Sequence, residues 1–311
     1  MSYKWILEPY SGSKSRYKCP NCGRNHSFTR YVDAEAYGPK DAKTHTIIYP
    51  LDLTCGRCNF TSCGYSKYPN GAPNYCEIEK REELPKVYYL RDDVARFRQG
   101  WRNSALMQYL STKIDGETLS KVCKDYCIGY LPQGWVRKES FSHGTIFWQI
   151  DHEYNIRRGK VMFYKPDGHR AKTADESGAI MAMWQVLRRK KDNEPEMCYF
   201  GQHLLRIYEG KPVGIVESEK TAVIAACLMP ELVWLATNSI QNFNTARLGW
   251  LRDCNVPVVV YPDYDGYSLW RKQVERVKDF YPNSKFIISD FVKNNGREKD
   301  DLADILLRSL K

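Results

Sequence analysis

Four short apolar segments alternate with four amphipathic segments from residue 212 to the end of the chain. Short apolar runs suit buried strands, and longer runs with helical spacing suit helices that cover a sheet. The predicted strands cover Val213–Val216, Val233–Ala236, Val256–Tyr261 and Lys285–Ile288, and the predicted helices cover Lys220–Leu228, Thr245–Arg252, Ser268–Phe280 and Asp301–Leu310. Strands joined by helices run parallel in a sheet covered on both faces. This part of the chain is therefore predicted to be α/β.

Acidic residues follow the predicted strands at the carboxyl edge of the sheet, where ligands bind in such folds. Glu217 ends the first strand, Asp263 and Asp265 follow the third, and Asp300 and Asp301 precede the last helix. Carboxylates that converge at one edge repel each other unless a cation lies among them, and carboxylate oxygens suit Mg²⁺. The alternative is that each residue only caps a helix. The D-x-D sequence favours a metal site, because a cap needs only one carboxylate.

Two C-x2-C pairs near the start of the chain predict a structural zinc site. The predicted ligands are Cys19, Cys22, Cys55 and Cys58. Two such turns can place four thiolates tetrahedrally around one ion. Cys63 and His26 are alternative ligands, and four cysteines that merely pack together are the alternative without a metal.

The composition restricts the class of protein in which these patterns occur. With 42% hydrophobic and 27% charged residues, the chain is neither disordered nor fibrous. No apolar run approaches the ~20 residues of a membrane span, and the first residues lack the apolar stretch of a signal peptide. We therefore expect a cytoplasmic protein with no membrane contact, whose 11 cysteines are thiols or metal ligands.

The middle of the chain is predicted to hold helices followed by antiparallel strands with a basic surface. Helical spacing covers residues 91–113 and 117–126, and strand-like sequence covers residues 144–151 and 158–164. Residues 131–191 hold 12 basic and 6 acidic residues, more than half of the excess of 47 basic over 37 acidic residues. Cations collected on a strand face can contact phosphates, and a solvated surface is the alternative. The predicted nucleic-acid-binding residues are Arg157, Arg158, Lys160, Lys165, Arg170 and Lys172.

In these motifs and their order, the chain resembles bacterial DnaG-type primases and, more widely, proteins with a Toprim domain. Glu217 matches the Toprim glutamate, Asp263 and Asp265 match its D-x-D motif, and residues 299–304 resemble the trailing acidic motif of primases. The basic strands, the segment Tyr199–Leu205 and the cysteine pairs resemble the parts that precede Toprim in primases. The similarity extends to uncharacterised zinc-ribbon and Toprim proteins of bacterial mobile elements.

Two positions depart from the primase pattern. Ser218 follows the glutamate where primases carry glycine, and Cys22 stands where the primase zinc domain commonly carries histidine. No phosphate-binding loop of the G-x-x-x-x-G-K-[ST] type is present, so no helicase motor is expected in this chain.

The resemblance implies three parts: a zinc ribbon over residues 1–80, a helical segment with a basic strand subdomain over 81–210, and a Toprim domain over 211–311. Charged residues 77–83 ahead of Pro85 are the predicted linker after the ribbon. The implied activity is DNA-directed nucleotidyl transfer by a primase during replication of a bacterial chromosome, phage or mobile element. The implied partners are single-stranded DNA, nucleoside triphosphates and a replicative helicase.

The catalytic residues implied by the resemblance are carboxylates that hold one or two Mg²⁺ or Mn²⁺ ions. They are Glu217, Asp263, Asp265 and Asp301, with Asp300 as the alternative to the last. Two other functions use the same parts. One is a catalytically inactive accessory protein that binds single-stranded nucleic acid, and the other is a Toprim nuclease in which water is the nucleophile.

Overall fold

The computed structural model describes residues 5–33, 47–60, 63–69, 86–135, 143–172, 179–189, 191, 194–250 and 255–310. The contacts divide the chain into two compact units, Met1–Glu83 and Leu84–Lys311. The predicted linker over residues 77–85 lies outside the described residues. Within the described ranges, no helix has the length and apolar character needed to cross a membrane.

The first unit contains a small antiparallel sheet. Its strands are β1 (Trp5–Leu7), β2 (Phe28–Asp33), β3 (Gly56–Cys58) and β4 (Ser66–Lys67), and they pair in that order. Cys19, Phe28 and Cys58 form its small buried core, against which Tyr17 and Tyr65 pack. A core of this size supplies little stabilisation, so such a unit benefits from a bound metal.

The second unit begins with three helices: α1 (Arg91–Arg98), α2 (Ala105–Ser111) and α3 (Gly116–Asp125). The helical pattern of residues 91–113 is divided, because Gly100 adopts a left-handed φ of 74° that no continuous helix accommodates. Ser104 then starts α2, since its hydroxyl accepts the N–H of Met107 at 3.3 Å.

An antiparallel sheet follows the three helices. It contains β5 (Gly129–Leu131), β6 (Gly144–Ile150), β7 (Ile156–Met162) and β8 (Ile180–Ala182), paired in that order. Two short helices follow, α4 (Met183–Val186) and α5 (Leu204–Ile207). All of β6 is buried. Trp148 on one of its faces joins a core with α1, whereas Phe147 on the other face joins the core of the parallel sheet. This sheet is therefore covered on both faces.

The last part of the unit is a parallel sheet in the order β10-β9-β11-β12. Its strands are β9 (Val213–Val216), β10 (Val233–Ala236), β11 (Val258–Val260) and β12 (Phe286–Ile288). Its helices are α6 (Glu219–Leu228), α7 (Tyr267–Phe280), α8 (Phe291–Asn295) and α9 (Leu302–Ser309). The predicted α/β fold class, with parallel strands and flanking helices, is confirmed.

One predicted helix of this part differs from the structure. Residues 245–250 of the helix predicted over Thr245–Arg252 form turns and a short 3-10 segment, and residues 251–252 lie outside the described residues. Local polar contacts compete with helix formation here. Asn244 Nδ2 donates to the carbonyl of Gln241 at 2.9 Å, and Arg247 donates to the Asn242 side chain.

The close packing of β9 against Trp234 predicts the effect of adding one methyl group to the sheet. A Cβ atom on Gly214 would lie 2.5 Å from the ring of Trp234, which is fully buried. We expect Gly214→Ala to destabilise the fold by about 1–3 kcal/mol, because a rigid ring must move. Urea denaturation measures the change. Gly116→Ala is the control, because a Cβ at this exposed helix position meets nothing within 4 Å, and unchanged stability of Gly214→Ala would contradict this packing.

Candidate functional site

Four cysteine thiols of the N-terminal unit meet in one cluster. The sulfur atoms of Cys19 and Cys63 are 3.8 Å apart, those of Cys22 and Cys58 are 4.0 Å apart, and all four lie within 4.8 Å of one another. Sulfur ligands about 2.3 Å from a tetrahedral Zn²⁺ lie about 3.8 Å from each other. The donor atoms and their spacing therefore fit one structural Zn²⁺, and His26 is not a member of the cluster.

The fourth cysteine of the cluster is Cys63 and not Cys55, which corrects the ligand set expected from the two C-x2-C pairs. Cys55 directly precedes the extended strand β3, and side chains three positions apart along a strand point to opposite faces. Cys55 is thus buried away from Cys58, and its carbonyl accepts the N–H of Tyr31 at 3.3 Å. The second ligand pair is Cys58 and Cys63, and the Cys63 N–H donates to the Phe60 carbonyl at 2.9 Å.

The carboxylates predicted to bind magnesium lie along one edge of the parallel sheet. Glu217 directly follows β9, and Asp263 follows the neighbouring strand β11 two residues after Tyr261. Asp265 belongs to the single 3-10 turn after Asp263, and Asp301 stands at the start of α9. The topology therefore brings the four predicted residues to the same end of the sheet.

Asp263 is the carboxylate that the others affect most. Burial raises the pKa of Asp263 to about 7, and the charges of Asp301, Glu217, Asp304 and Asp265 contribute in that order. Burial also raises the pKa of Glu217 and that of Asp304. Burial disfavours the ionised form of each of these carboxyl groups, and for Asp263 and Asp304 the neighbouring negative charges add to the effect.

Asp301 has a structural role as a helix cap. Its Oδ1 accepts the N–H of Asp304 at 3.0 Å, and Asp304 accepts the N–H of Asp301 at 3.0 Å, which forms a capping box. The other oxygen of Asp301 accepts the hydroxyl of Thr221 at 2.7 Å. Ser218 starts α6 in the same way, since its hydroxyl accepts the N–H of Thr221 at 3.1 Å. The departure from glycine at position 218 thus supplies a cap.

Asp265 and Asp300 are also held by neighbours. Asp265 Oδ2 accepts the N–H of Lys299 at 3.0 Å. Asp300 forms a two-point ion pair with Arg308, with N···O distances of 3.0 and 2.7 Å, and these hydrogen bonds hold the pKa of Asp300 below its usual value. Because its charge is already paired, Asp300 is a weaker candidate ligand than Asp301.

The oxygen donors of these carboxylates suit Mg²⁺ or Mn²⁺, but their spacing does not form a compact metal site. Oxygen donors at a strand edge are the ligands that these ions take. Within the described ranges, however, the cysteine cluster is the only group of three or more Cys, His, Asp or Glu side chains whose ligand atoms all lie within 4.8 Å of one another. The carboxylates therefore lie along the edge, and no three of them bring their ligand atoms within 4.8 Å of one another.

Lys160 connects the antiparallel sheet to this edge. Its ammonium donates to the Glu219 carboxylate in the first turn of α6 and to the side-chain oxygen of Asn238 after β10. Glu219 is only 2% exposed, and removing one partner of a buried ion pair typically costs about 3–5 kcal/mol. Lys160 therefore neutralises this buried carboxylate. The contact of Lys160 with nucleic acid remains a prediction.

Arg157 and Arg158 have internal partners as well. Arg157 is the extra residue of a β-bulge in β7 and donates to the buried Asp151 at 2.7 Å. Burial raises the pKa of Asp151, but hydrogen bonds from Arg157 and Asn155 outweigh this and hold it below its usual value. Arg158 donates to the carbonyl of Pro195 at 2.8 Å. Both arginines thus stabilise the ends of this sheet.

The other three predicted cations, Lys165, Arg170 and Lys172, are exposed. Arg170 lines a cavity of about 640 Å³ together with Lys220, Lys299 and Asp304. This cavity lies next to the carboxylate edge, because Asp304, which lines it, exchanges hydrogen bonds with Asp301. Basic and acidic side chains therefore both line this cavity.

Three residues of this region were not among the predicted site residues: Glu219, Asn238 and Asp304, although Asp304 ends the predicted acidic motif of residues 299–304. Asp304 follows Asp301 by three positions, which is the capping-box spacing and was a usable signal. Glu219 lies two residues after Glu217, but nothing in the sequence pairs it with Lys160, which is 59 positions away. Asn238 has a left-handed φ of 67°, a conformation that asparagine tolerates better than most residues.

Two sequence families match the chain. The family described as a domain of unknown function (DUF6371) matches residues 104–264, slightly more than half of the chain. A zinc β-ribbon finger family matches residues 3–80, the region that contains the cysteine cluster. No curated protein matches the chain.

Several solved structures are similar to the chain at low sequence identity. The primase fragment of the bacteriophage T7 primase–helicase protein has 14% identity and a TM-score of 0.43, with 95% of both chains covered. The DnaG catalytic core has 13% identity and a TM-score of 0.45, covering 70% of this chain and 74% of that chain. A DnaG primase catalytic domain bound to single-stranded DNA has 12% identity and a TM-score of 0.46, with 70% and 72% covered. Likenesses at this level carry no argument about function.

The cysteine cluster predicts which thiols hold zinc. We expect Cys63→Ser to lower bound zinc well below one ion per chain, because it removes one of the four clustered sulfurs. Cys55→Ala is the matched control and should keep full zinc content, since Cys55 is buried outside the cluster. Metal analysis of the purified proteins measures both. Loss of zinc in Cys55→Ala with retention in Cys63→Ser would instead support the two C-x2-C pairs.

Proposed function

This chain belongs to the DUF6371 family, which assigns it no activity, and we propose that it is a primase-type enzyme that joins nucleotides on single-stranded DNA in a metal-dependent reaction. The observation that carries the proposal is the set of carboxylates that the parallel pairing of β9 and β11 brings to one edge of the sheet, among them Glu217 and Asp263. A cation is the simplest neutralising partner for such a set. The motifs of a Toprim domain, noted in the sequence, agree with this assignment.

Glu217, Asp263 and Asp265, with Asp301, would hold one or two Mg²⁺ or Mn²⁺ ions. When bound, such ions favour ionisation of a 3′-hydroxyl and neutralise the charge of the leaving pyrophosphate. Glu217 and Asp263 leave adjacent hydrogen-bonded strands, so the sheet fixes their backbone positions relative to each other. Asp301 would reach an ion only by sharing the oxygens that now cap α9 and bind Thr221.

The exposed cations would hold the phosphates of template and triphosphate. Lys165, Arg170 and Lys172 are exposed and would take this role, whereas Arg157, Arg158 and Lys160 have internal partners and contribute by keeping the sheet ends in place. Arg170 and Lys299 border the cavity next to the carboxylates, which is where the triphosphate of an incoming nucleotide would have to lie. A cavity lined by both basic and acidic side chains suits an anion bridged by a divalent cation.

The proposal also assigns a role to each part of the chain and names the partners of the reaction. We assign the zinc ribbon of residues 1–80 and the basic segment of residues 81–210 to holding the template, and residues 211–311 to catalysis as a Toprim domain. Replication of a bacterial chromosome, phage or mobile element would supply the template, and a replicative helicase would be the partner. These points rest on the resemblance of the sequence motifs.

The metal site predicts the effect of neutralising single carboxylates. We expect Glu217→Gln and Asp263→Asn to lose the rise in Tm that Mn²⁺ gives the unaltered protein, and to lower nucleotidyl transfer about 100-fold or more. The assay is Mg²⁺- or Mn²⁺-dependent incorporation of labelled ribonucleotides on single-stranded DNA, with thermal melts in parallel.

Asp279→Asn is the matched control, because Asp279 is an exposed carboxylate near the end of α7, at the other end of this helix from Asp263. It should keep both the Mn²⁺ effect and the activity. Cleavage of the DNA without synthesis would replace the proposal with a Toprim nuclease. Binding of DNA with neither reaction would replace it with an inactive accessory protein.

The exposed cations predict how DNA binding depends on salt. Changing Lys165, Arg170 and Lys172 together to Ala should reduce the slope of log affinity against log salt by about 2, because each lost phosphate contact on single strands removes about 0.7. The loss should be equal for every DNA sequence, since phosphates carry no base information. A triple variant of the exposed α7 cations Lys272, Arg276 and Lys278 is the control for net charge. Equal slopes for both triple variants would mean that Lys165, Arg170 and Lys172 form a solvated surface and make no phosphate contacts.

A further inference from the structure

We propose that Lys160 and Asn238 are positioning residues that hold the backbone of Glu217 in place at the carboxylate edge. This inference deepens the proposed function, on which it rests, because Glu217 is one of the proposed ligands of a divalent cation. Neither the sequence motifs nor the family matches assign this role to Lys160 or Asn238. Both residues would act on the cation only through Glu217.

The backbone of Glu217 is hydrogen-bonded to Asn238. The ladder between β9 and β10 continues beyond the ends of both strands, where the Thr237 N–H donates to the Val216 carbonyl at 3.1 Å and the Asn238 N–H donates to the Glu217 carbonyl at 2.8 Å. Asn238 has a left-handed φ of 67°, so the extended strand stops there. Because the sheet does not impose this conformation, a contact that fixes Asn238 also fixes the direction of its N–H.

Lys160 supplies that contact from a different sheet. Its ammonium donates to Oδ1 of Asn238 and to the carboxylate of Glu219. Lys160 lies in β7, which is paired with β6 on one side and with β8 on the other. The side chain of Lys160 is 21% exposed and that of Glu219 is 3% exposed. A cation on a central strand is therefore bonded to two loops of the parallel sheet, and such strands hold side chains more precisely than loops do.

The two acceptors of Lys160 flank Glu217. Glu219 follows Glu217 by two positions in the first turn of α6, and Asn238 binds the Glu217 carbonyl from the neighbouring strand. The second carboxylate oxygen of Glu219 has no partner in the described part of the chain, so Glu219 depends on Lys160. Displacing either loop would break a hydrogen bond to a buried charge, which is costly. We call Lys160, Glu219 and Asn238 the Lys160 bridge.

The Lys160 bridge would strengthen metal binding by position and not by charge. Its hydrogen bonds use the carbonyl of Glu217 and not the carboxylate, which is left for a metal ion. Residues that orient a metal ligand typically contribute about 10- to 100-fold to metal affinity or activity. Lys160 is itself a cation, so its charge alone would weaken the binding of a second cation. Weaker metal binding after its removal would therefore report a displaced Glu217.

Calorimetric titration of the full chain with Mn²⁺ is the first test. Asn238→Gly removes the acceptor of Lys160, keeps the backbone N–H and tolerates the left-handed φ. We expect it to bind Mn²⁺ about tenfold more weakly, while the Tm without Mn²⁺ changes no more than in the control Asn255→Gly. Asn255 is exposed and precedes β11, at the opposite end of that strand from Asp263.

A double variant disrupts the Lys160 bridge from its other end. Lys160→Met combined with Glu219→Gln leaves no unpaired buried charge and keeps the net charge, so the fold should be retained. We expect the same tenfold loss of Mn²⁺ affinity, and adding Asn238→Gly should weaken binding no further, because the substitutions remove one shared contact. Lys272→Met combined with Glu275→Gln makes the same changes at exposed positions of α7 and should leave the affinity unchanged.

Amide hydrogen exchange gives a second readout that involves no metal. In protein carrying isotope-labelled asparagine, the backbone signal of Asn238 is identified by its absence in Asn238→Gly. Protection of this N–H, which donates to Glu217, should fall about tenfold in the double variant of Lys160 and Glu219 and stay unchanged in the α7 control. Unchanged Mn²⁺ affinity in both Asn238→Gly and the double variant, or unchanged exchange in the double variant, overturns the proposal. A lower Tm with unchanged Mn²⁺ affinity would also overturn it and assign the Lys160 bridge to stability alone.

This experiment and that of the proposed function can fail separately. Unchanged Mn²⁺ affinity and synthesis in the bridge variants would remove the positioning role and leave the enzyme. Weaker Mn²⁺ binding and faster exchange in these variants, with no nucleotidyl transfer by the unaltered protein, would leave the positioning role and remove the enzyme. If the unaltered protein binds no Mn²⁺, the metal-dependent function fails, and the exchange of Asn238 still decides whether the Lys160 bridge holds Glu217.

Discussion

Strand β9 is hydrogen-bonded to β10 on one side and to β11 on the other, both in parallel. Parallel pairing makes all carboxyl ends meet at one edge, so Glu217 and Asp263 approach each other although 46 positions separate them. The edge is where negative charge collects, and the rest of the site is arranged around that charge. Part of the charge is offset by helix caps and by Arg308. Burial, with the neighbouring carboxylates as a smaller cause, raises the pKa of Asp263.

The ion pair between Lys160 and Glu219 joins the antiparallel sheet to the first helix of the parallel sheet. A buried ion pair adds little net stability, but it is costly to break and therefore defines how the two sheets meet. Its position also decides which cations remain for a ligand. Lys160 neutralises Glu219, whereas Arg170 has no carboxylate partner in the described part of the chain and lines the cavity next to the carboxylates. The basic surface available to a polyanion is thus smaller than the basic composition indicates.

The N-terminal ribbon and the rest of the chain differ in what stabilises their folds. Its buried core is small, so four thiolates around one ion would supply stabilisation that packing cannot. In the larger unit, by contrast, one core extends from α2 and α3 to the parallel sheet and α9, and rigid contacts such as that of Gly214 with Trp234 fix strand positions. A bound zinc ion would therefore stabilise the fold of the ribbon. A magnesium or manganese ion at the carboxylate edge would instead serve the proposed reaction.

The sequence alone determined the parallel sheet and the carboxylates at its edge, because short apolar strands, covering helices and strand-end acids are local patterns. Val213–Val216 and Val233–Ala236 agree with the structure at both ends. Only the tertiary structure decided contacts between distant residues. The strand geometry at β3 places Cys63 in the cysteine cluster in place of Cys55, and the folding of β7 against α6 pairs Lys160 with Glu219. Likewise, the partner of the buried Asp151, Arg157 in the bulge of β7, is not visible in the sequence, because whether a buried polar group finds a partner depends on every element that packs around it.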